Sequence, residues 1–123
     1  MARKLIDEGQ FSLAVIVCHM ACEVAIERPL SQVFTRKAVE DLKDPVLALL
    51  NGYNLGNSTI RKFYTALTGD KKIEKRPFWK KFEKSVKRRN AIIHGRLPAG
   101  QVQQVDTEES FKAASDLVAH LKQ

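Results

Sequence analysis

Apolar residues recur every three or four positions along most of this chain, and no stretch shows the sustained alternation of a strand. That spacing is typical of amphipathic helices. The first helix is expected to begin at Phe11. It should end or kink near Glu27 or Arg28, because Pro29 would lose its backbone hydrogen bond inside a helix. A second helical region is expected over residues 35–50.

The second region contains Asp44-Pro45, which resembles an N-cap followed by proline at the first helical position. Three later helices have recognisable start or stop signals: a cap at Asn57 or Ser58 with a stop at Gly69, residues 77–94 with a stop at Gly95, and a capping box at Asp106 and Glu109. The pattern predicts an all-α fold, with residues 1–123 forming one domain. We expect an antiparallel helical bundle of about four main helices with a broken second helical region.

The basic charge is concentrated in one segment. The 123 residues contain 21 Lys and Arg against 14 Asp and Glu, and ten of these basic residues lie between Lys71 and Arg89 with two acidic ones. That segment carries a net charge of +8, and the rest of the chain is close to neutral. Such a distribution favours a polyanionic partner, most commonly nucleic acid, although a solvated helix face would show the same pattern.

Composition also bears on location and on metal binding. The longest apolar run, from Leu13 to Cys18, is far shorter than the roughly 20 residues of a membrane span, and no signal-peptide cleavage site follows it. A cytoplasmic protein with no membrane partner is therefore expected. Cys18 and Cys22 share one helix face and should be buried free thiols. His19 points about 100° away from Cys18, so no metal site is expected.

The helix over residues 77–94 has an arginine where a leucine would be expected. At about 100° per residue, Arg89 falls about 20° from Phe82, in the middle of an apolar stripe that includes Ile93, whereas Arg88 points outward. Burying an unpaired charge is costly, so Arg89 must be paired, hydrogen-bonded, or placed at a groove or a subunit contact. The candidates for RNA binding are the basic residues Lys80, Lys84, Lys87, Arg88 and Arg96.

Arg89, Asn90 and His94 form a polar cluster at the inner C-terminal end of this helix. A histidine beside a fixed cation suits proton transfer at a phosphodiester, in which the histidine moves the proton and the arginine holds the developing negative charge. The residues alone leave a structural alternative open. Arg89 would pair with Glu23 or Glu27 on the first helix, and His94 would only cap carbonyl groups.

The segment from Arg89 to His94 resembles the signature of the HEPN superfamily, the higher eukaryotes and prokaryotes nucleotide-binding domain. That signature is an arginine, four to six residues and a histidine, often with a polar residue directly after the arginine. Trp79 and Phe82 before the segment and Gly95 after it are similar to bacterial members. Residues 14–23 are similar to the opening helix of the family.

The resemblance, which covers roughly residues 10–121, implies a homodimer that cleaves RNA without a metal or cofactor. From the position of Arg89 in the apolar stripe and of His94 at the helix end, we expect the symmetric interface to include residues 89–96. The resemblance implies that Arg89 holds the scissile phosphate, that His94 is the acid/base and that Asn90 orients one of them. A toxin or defence role with a cognate antitoxin or nucleotidyltransferase partner would follow. Many relatives are non-catalytic dimerisation modules, which is the alternative. Duplex DNA binding is disfavoured, because side chains that read bases are sparse.

Overall fold

The computed structural model describes residues 1–36, 40–42, 46 and 55–122, and these ranges contain helices but no β-strand. Their five α-helices are α1 (Ala2–Asp7), α2 (Phe11–Arg36), α3 (Ser58–Thr68), α4 (Trp79–Ile93) and α5 (Gln104–Leu121). Short 3-10 turns cover Glu40–Leu42, Ile73–Lys75 and Ala99–Gln101. The predicted all-α helical bundle is confirmed. The predicted break at Asp44-Pro45 lies outside the described residues.

The prediction that the first helix ends near Glu27 or Arg28 is wrong. α2 continues through Pro29 to Arg36 as one helix of 26 residues. A proline inside a helix costs about 3 kcal/mol, because it removes one hydrogen bond and its ring clashes with the preceding turn. Burying one large apolar side chain contributes about 1.5–3 kcal/mol, so a few of them outweigh that penalty. The turns beyond the proline carry three such side chains, Leu30, Val33 and Phe34.

α4 runs antiparallel to α5. The ring of Phe78, which precedes α4, lies 5.8 Å from the ring of His120 in the last turn of α5. Near the other end of α4, the guanidinium of Arg88 donates to the hydroxyl of Ser110 in the first half of α5 (2.6 Å). The start of α4 therefore contacts the end of α5, and the end of α4 contacts the first half of α5. The two helices are antiparallel, as predicted.

α2 and α5 run in the same direction and share the most extensive helix contact of the bundle. One cavity between them is lined by Val17 and Phe111, from the first halves of the two helices. Another is lined by Gln32 and Leu121, from their C-terminal halves. α4 therefore lies antiparallel to both long helices and packs against each of them.

The stop and start signals around α3 are confirmed. Asn57 is the N-cap, and its Oδ1 accepts hydrogen bonds from the backbone N–H groups of Thr59 (2.9 Å) and Ile60 (3.3 Å). Gly69 ends the helix in the left-handed conformation with φ +76°. These signals depend on residues within one helical turn, which is why sequence alone identifies them.

The start signal assigned to the last helix is wrong. α5 begins at Gln104 with Gln103 as its N-cap, and no side chain caps it. Asp106 and Glu109 therefore lie inside the helix and form no capping box. Both carboxylates lie 3.6 Å from the guanidinium of Arg88, so they serve the contact between α4 and α5 instead.

The core joins all the long helices, and both cysteines belong to it. Cys18 and Cys22 are buried free thiols, as predicted, and burial raises the pKa of Cys18 to about 11 and that of Cys22 to about 12. They are therefore protonated packing residues at neutral pH.

In the parts of the chain described, no helix combines the length and the apolar character needed to cross a membrane.

Candidate active site

The C-terminal end of α4 is closed by Gly95, whose φ is +72°. Its N–H donates to the carbonyl of Ile92 (3.1 Å), and the N–H of Arg96 donates to the carbonyl of Ala91 (2.8 Å). These are the paired bonds of a Schellman turn, which satisfies carbonyls that the helix end leaves free. His94 is the C-cap residue and its side chain is exposed. The backbone that carries His94 is thus held by hydrogen bonds on both sides.

Arg89 lies half-buried on the last turns of α4. Its Nη1 donates to Oδ1 of Asn90 (3.1 Å), and its buried Nε has no hydrogen-bond partner among the described residues. Within the same residues, Arg89 forms no ion pair, so the predicted pairing with Glu23 or Glu27 is not formed. The carboxylate of Glu23 lies instead 3.0 Å from Nε2 of His19, one turn away on its own helix. No carboxylate of the described residues therefore forms an ion pair with Arg89.

His19 is a member of this cluster that sequence reasoning missed. Its side chain is only 1% exposed, and it lies close enough to Arg89 on α4 for the guanidinium charge to affect its pKa. Burial lowers the pKa of His19, the charge of Arg89 lowers it further, and Glu23 opposes the shift without reversing it. The signal available in the sequence was a histidine four residues before a glutamate inside an apolar helix face.

Arg88 does not point outward as predicted. Its side chain is 12% exposed, and Nη1 donates to the hydroxyl of Ser110 (2.6 Å) and to the carbonyl of Asp106 (2.8 Å). α4 packs against two helices, so its buried arc is wider than the single apolar stripe suggests and extends to Arg88. The guanidinium of Arg88 belongs to the contact between α4 and α5, and not to the exposed basic surface.

The other basic residues predicted to bind RNA are exposed: Lys80, Lys84, Lys87 and Arg96. At about 100° per residue, the three lysines and His94 fall within an arc of about 80° on α4. None of these basic side chains forms an ion pair within the described part of the chain. A continuous stripe of unpaired positive charge therefore leads along the helix to His94.

The apolar stripe of α4 is covered only in its first half. Trp79 and Phe82 are buried, with 4% and 2% exposure, and Val86 is half-buried. Ile93, predicted to be core, is 50% exposed. Because Ile93 shares its face with Arg89, the C-terminal part of this face is left uncovered by the described residues.

Comparison with protein-family models, with curated proteins and with solved structures finds no match to this chain. Among the described residues, no group of three or more His, Cys, Asp or Glu side chains is arranged to hold a metal ion. The residues at the open end of α4 are therefore the basis for assigning a function.

Proposed function

We propose that this chain is a HEPN-type RNA-binding protein and a metal-independent endoribonuclease that acts as a homodimer. The observation that carries the proposal is the open end of α4, where Arg89 has no ion pair among the described residues and lies five positions before the exposed His94. Its hydrogen bond to Asn90 gives the guanidinium a defined orientation. A fixed cation and an exposed imidazole at the same end of one helix suit phosphoryl transfer.

The proposed reaction uses the 2′-hydroxyl of the RNA as the nucleophile. His94 of one protomer accepts the hydroxyl proton while the oxygen attacks the adjacent phosphorus. The bond from phosphorus to the 5′-oxygen breaks, and the symmetry-related His94 donates a proton to that leaving oxygen. Arg89 binds the phosphate oxygens as their negative charge develops. The products are a 2′,3′-cyclic phosphate and a 5′-hydroxyl.

The exposed apolar surface beside His94 supports the proposed dimer. Ile93 is half exposed on the face of Arg89, and a two-fold contact over residues 89–96 would cover it. The same contact would bring the second His94 to the first. The stripe of Lys80, Lys84 and Lys87 would then guide the RNA backbone toward the composite site.

The test of the chemistry compares variants purified in parallel and incubated with total RNA in EDTA. We expect the unaltered chain to leave cyclic phosphate ends and His94→Ala to be at least about 100-fold slower, since a positioned acid/base contributes about 100-fold or more. Arg89→Ala should be similarly impaired. Lys112→Ala, an exposed change on α5, is the control and should remain active. Equal cleavage by all four proteins, or cleavage by none, would refute the nuclease proposal.

The test of the dimer uses light scattering at tens of micromolar protein. Ile93→Glu should convert the dimer to a monomer, because removing the new carboxylate from water at the contact costs more than an ion pair with Arg89, one turn away on the same face, returns. Val105→Glu is the matched control, because Val105 is also an exposed apolar residue, at 74%, but lies on α5. A monomeric unaltered chain, or a dimer unaffected by Ile93→Glu, would contradict the proposed interface.

A second candidate function is a non-catalytic dimerisation module. It is favoured by one observation: among the described residues, the side chain of His94 forms no hydrogen bond with Arg89 or Asn90. A dimer that depends on Ile93 but does not cleave RNA would assign this function and reject the enzyme.

A further inference from the structure

A histidine and a glutamate on α2 lie beside the open end of α4. His19 is almost fully buried, and its Nε2 lies 3.0 Å from Oε1 of Glu23, whose side chain is 32% exposed. α2 packs against α4. The charges of Glu23 and Arg89 both act on His19, so the imidazole lies within electrostatic range of a carboxylate on its own helix and of a guanidinium on α4. The proposed reaction does not use His19.

The imidazole of His19 is a hydrogen-bond donor to Glu23. Burial lowers the pKa of His19, so the ring is neutral at neutral pH and carries one N–H. Because a carboxylate only accepts hydrogen bonds, that N–H is at Nε2, the ring nitrogen that faces Glu23. If Glu23 turned away, this nearly inaccessible donor would lose its carboxylate acceptor, which is costly inside a protein. The hydrogen bond therefore holds Glu23 beside His19.

Arg89 competes for the same carboxylate. It forms no ion pair with the described residues, and its buried Nε has no hydrogen-bond partner among them. A carboxylate released beside this guanidinium would gain a charge-assisted hydrogen bond, which is roughly twice as strong as one between neutral groups. Without the hydrogen bond from His19, the flexible side chain of Glu23 would therefore turn to Arg89.

We propose that His19 is a positioning residue that holds Glu23 away from Arg89 and so keeps the guanidinium available to a phosphate group. The inference rests on the proposed ribonuclease function, in which Arg89 binds the scissile phosphate. An ion pair with Glu23 would neutralise Arg89 and place a second negative charge beside the phosphate oxygens. His19 is buried, so it acts through Glu23 without contacting the RNA.

The first test measures the cleavage of total RNA in EDTA by two variants of His19. His19→Leu fills the buried site but removes the N–H. It should slow cleavage at least about tenfold, because a guanidinium paired with Glu23 no longer stabilises the developing charge. His19→Gln keeps a donor at the position of Nε2 and should stay within about threefold of the unaltered chain.

A second substitution decides whether His19 acts through Glu23. His19→Leu with Glu23→Gln should recover cleavage to within about threefold of the unaltered chain, because the competing carboxylate is gone. The matched control, His19→Leu with Glu27→Gln, removes the same charge from an exposed position one turn further along α2 and should stay as slow as His19→Leu. Undiminished cleavage by His19→Leu, a defect that Glu23→Gln does not relieve, or equal relief by the control would overturn the inference.

The second test does not require cleavage. Urea unfolding of Glu23→Gln, Arg89→Met and the double variant measures the coupling between these two residues, both in the unaltered chain and in His19→Leu. With His19 present, the separate effects on the unfolding equilibrium constant should multiply to within about twofold. In His19→Leu, the double variant should depart from that product by at least about fivefold.

The coupling separates failure of this inference from failure of the ribonuclease proposal. Coupling in both backgrounds, or in neither, would overturn the role of His19 even if the chain cleaves RNA. Coupling confined to His19→Leu, in a chain that does not cleave RNA, would uphold the action of His19 on Glu23 and Arg89 and reject only the ribonuclease.

Discussion

Replacing Arg88 with methionine is expected to destabilise the fold, whereas the same change at the adjacent Arg89 is not. Methionine keeps most of the length and apolar character of the arginine stem, so the substitution chiefly removes the guanidinium. At Arg88 that group joins α4 to α5 through Ser110, which has 0% exposure, and through the backbone carbonyl of Asp106. At Arg89, the one hydrogen bond that the guanidinium forms with the described residues is to Asn90, on the same helix.

The expected loss for Arg88→Met is about 2–4 kcal/mol of unfolding free energy. Hydrogen bonds from a charged donor contribute about 1.5–3 kcal/mol each, and the hydroxyl of Ser110 would lose its partner inside the core. The carboxylates of Asp106 and Glu109 lie 3.6 Å away and are partly exposed, so they add at most about 1 kcal/mol. Relief of the desolvated arginine charge reduces the total.

Urea unfolding followed by circular dichroism measures this difference. Arg88→Met should lower the free energy of unfolding by the stated amount without changing the denaturant slope, and Arg89→Met should change it by less than about 1 kcal/mol. A loss below about 0.5 kcal/mol for Arg88→Met would refute the reasoning. So would equal losses for the two variants, because the two arginines would then have the same structural role.

Two further predictions concern the helices around the candidate site. Folding lowers the pKa of His19 from its ordinary value of 6.5. Near and below pH 6.5, the unfolded chain therefore binds more protons at His19 than the folded chain does. The free energy of unfolding should fall as the pH drops below 6.5. His19→Gln should flatten this slope between about pH 7.5 and pH 5 in urea titrations, and an unchanged slope would contradict the assignment. Gly95→Ala should cost about 1–2 kcal/mol because of its φ of +72°, whereas Gly100→Ala, which has equally open space but no positive φ, should cost nothing measurable. Equal thermal midpoints for the two glycine variants would show that the Schellman turn contributes little.

The parts of the fold that the sequence predicted well are helix ends, which depend on a few neighbouring residues. The cap at Asn57 and the stops at Gly69 and Gly95 are each decided within one helical turn, so neighbouring residues contain all the information. The effect of Pro29 is different. Its outcome depends on whether the following turns meet a core, and that core is formed by helices distant in sequence.

The candidate site shows the same division between local and distant information. Arg89 was identified because its position conflicts with an apolar stripe on its own helix, which is a local property. Arg88 was misplaced because the seam between α4 and α5 contains small polar residues, and apolar periodicity treats these as exterior positions. Ser110, which accepts the hydrogen bond from Arg88, is 0% exposed, and α4 and α5 also bury Ser85 (6%) and Thr107 (0%). A helix that packs on two neighbours can bury one face through apolar contacts and a second through hydrogen bonds, and only the first face leaves a hydrophobic pattern.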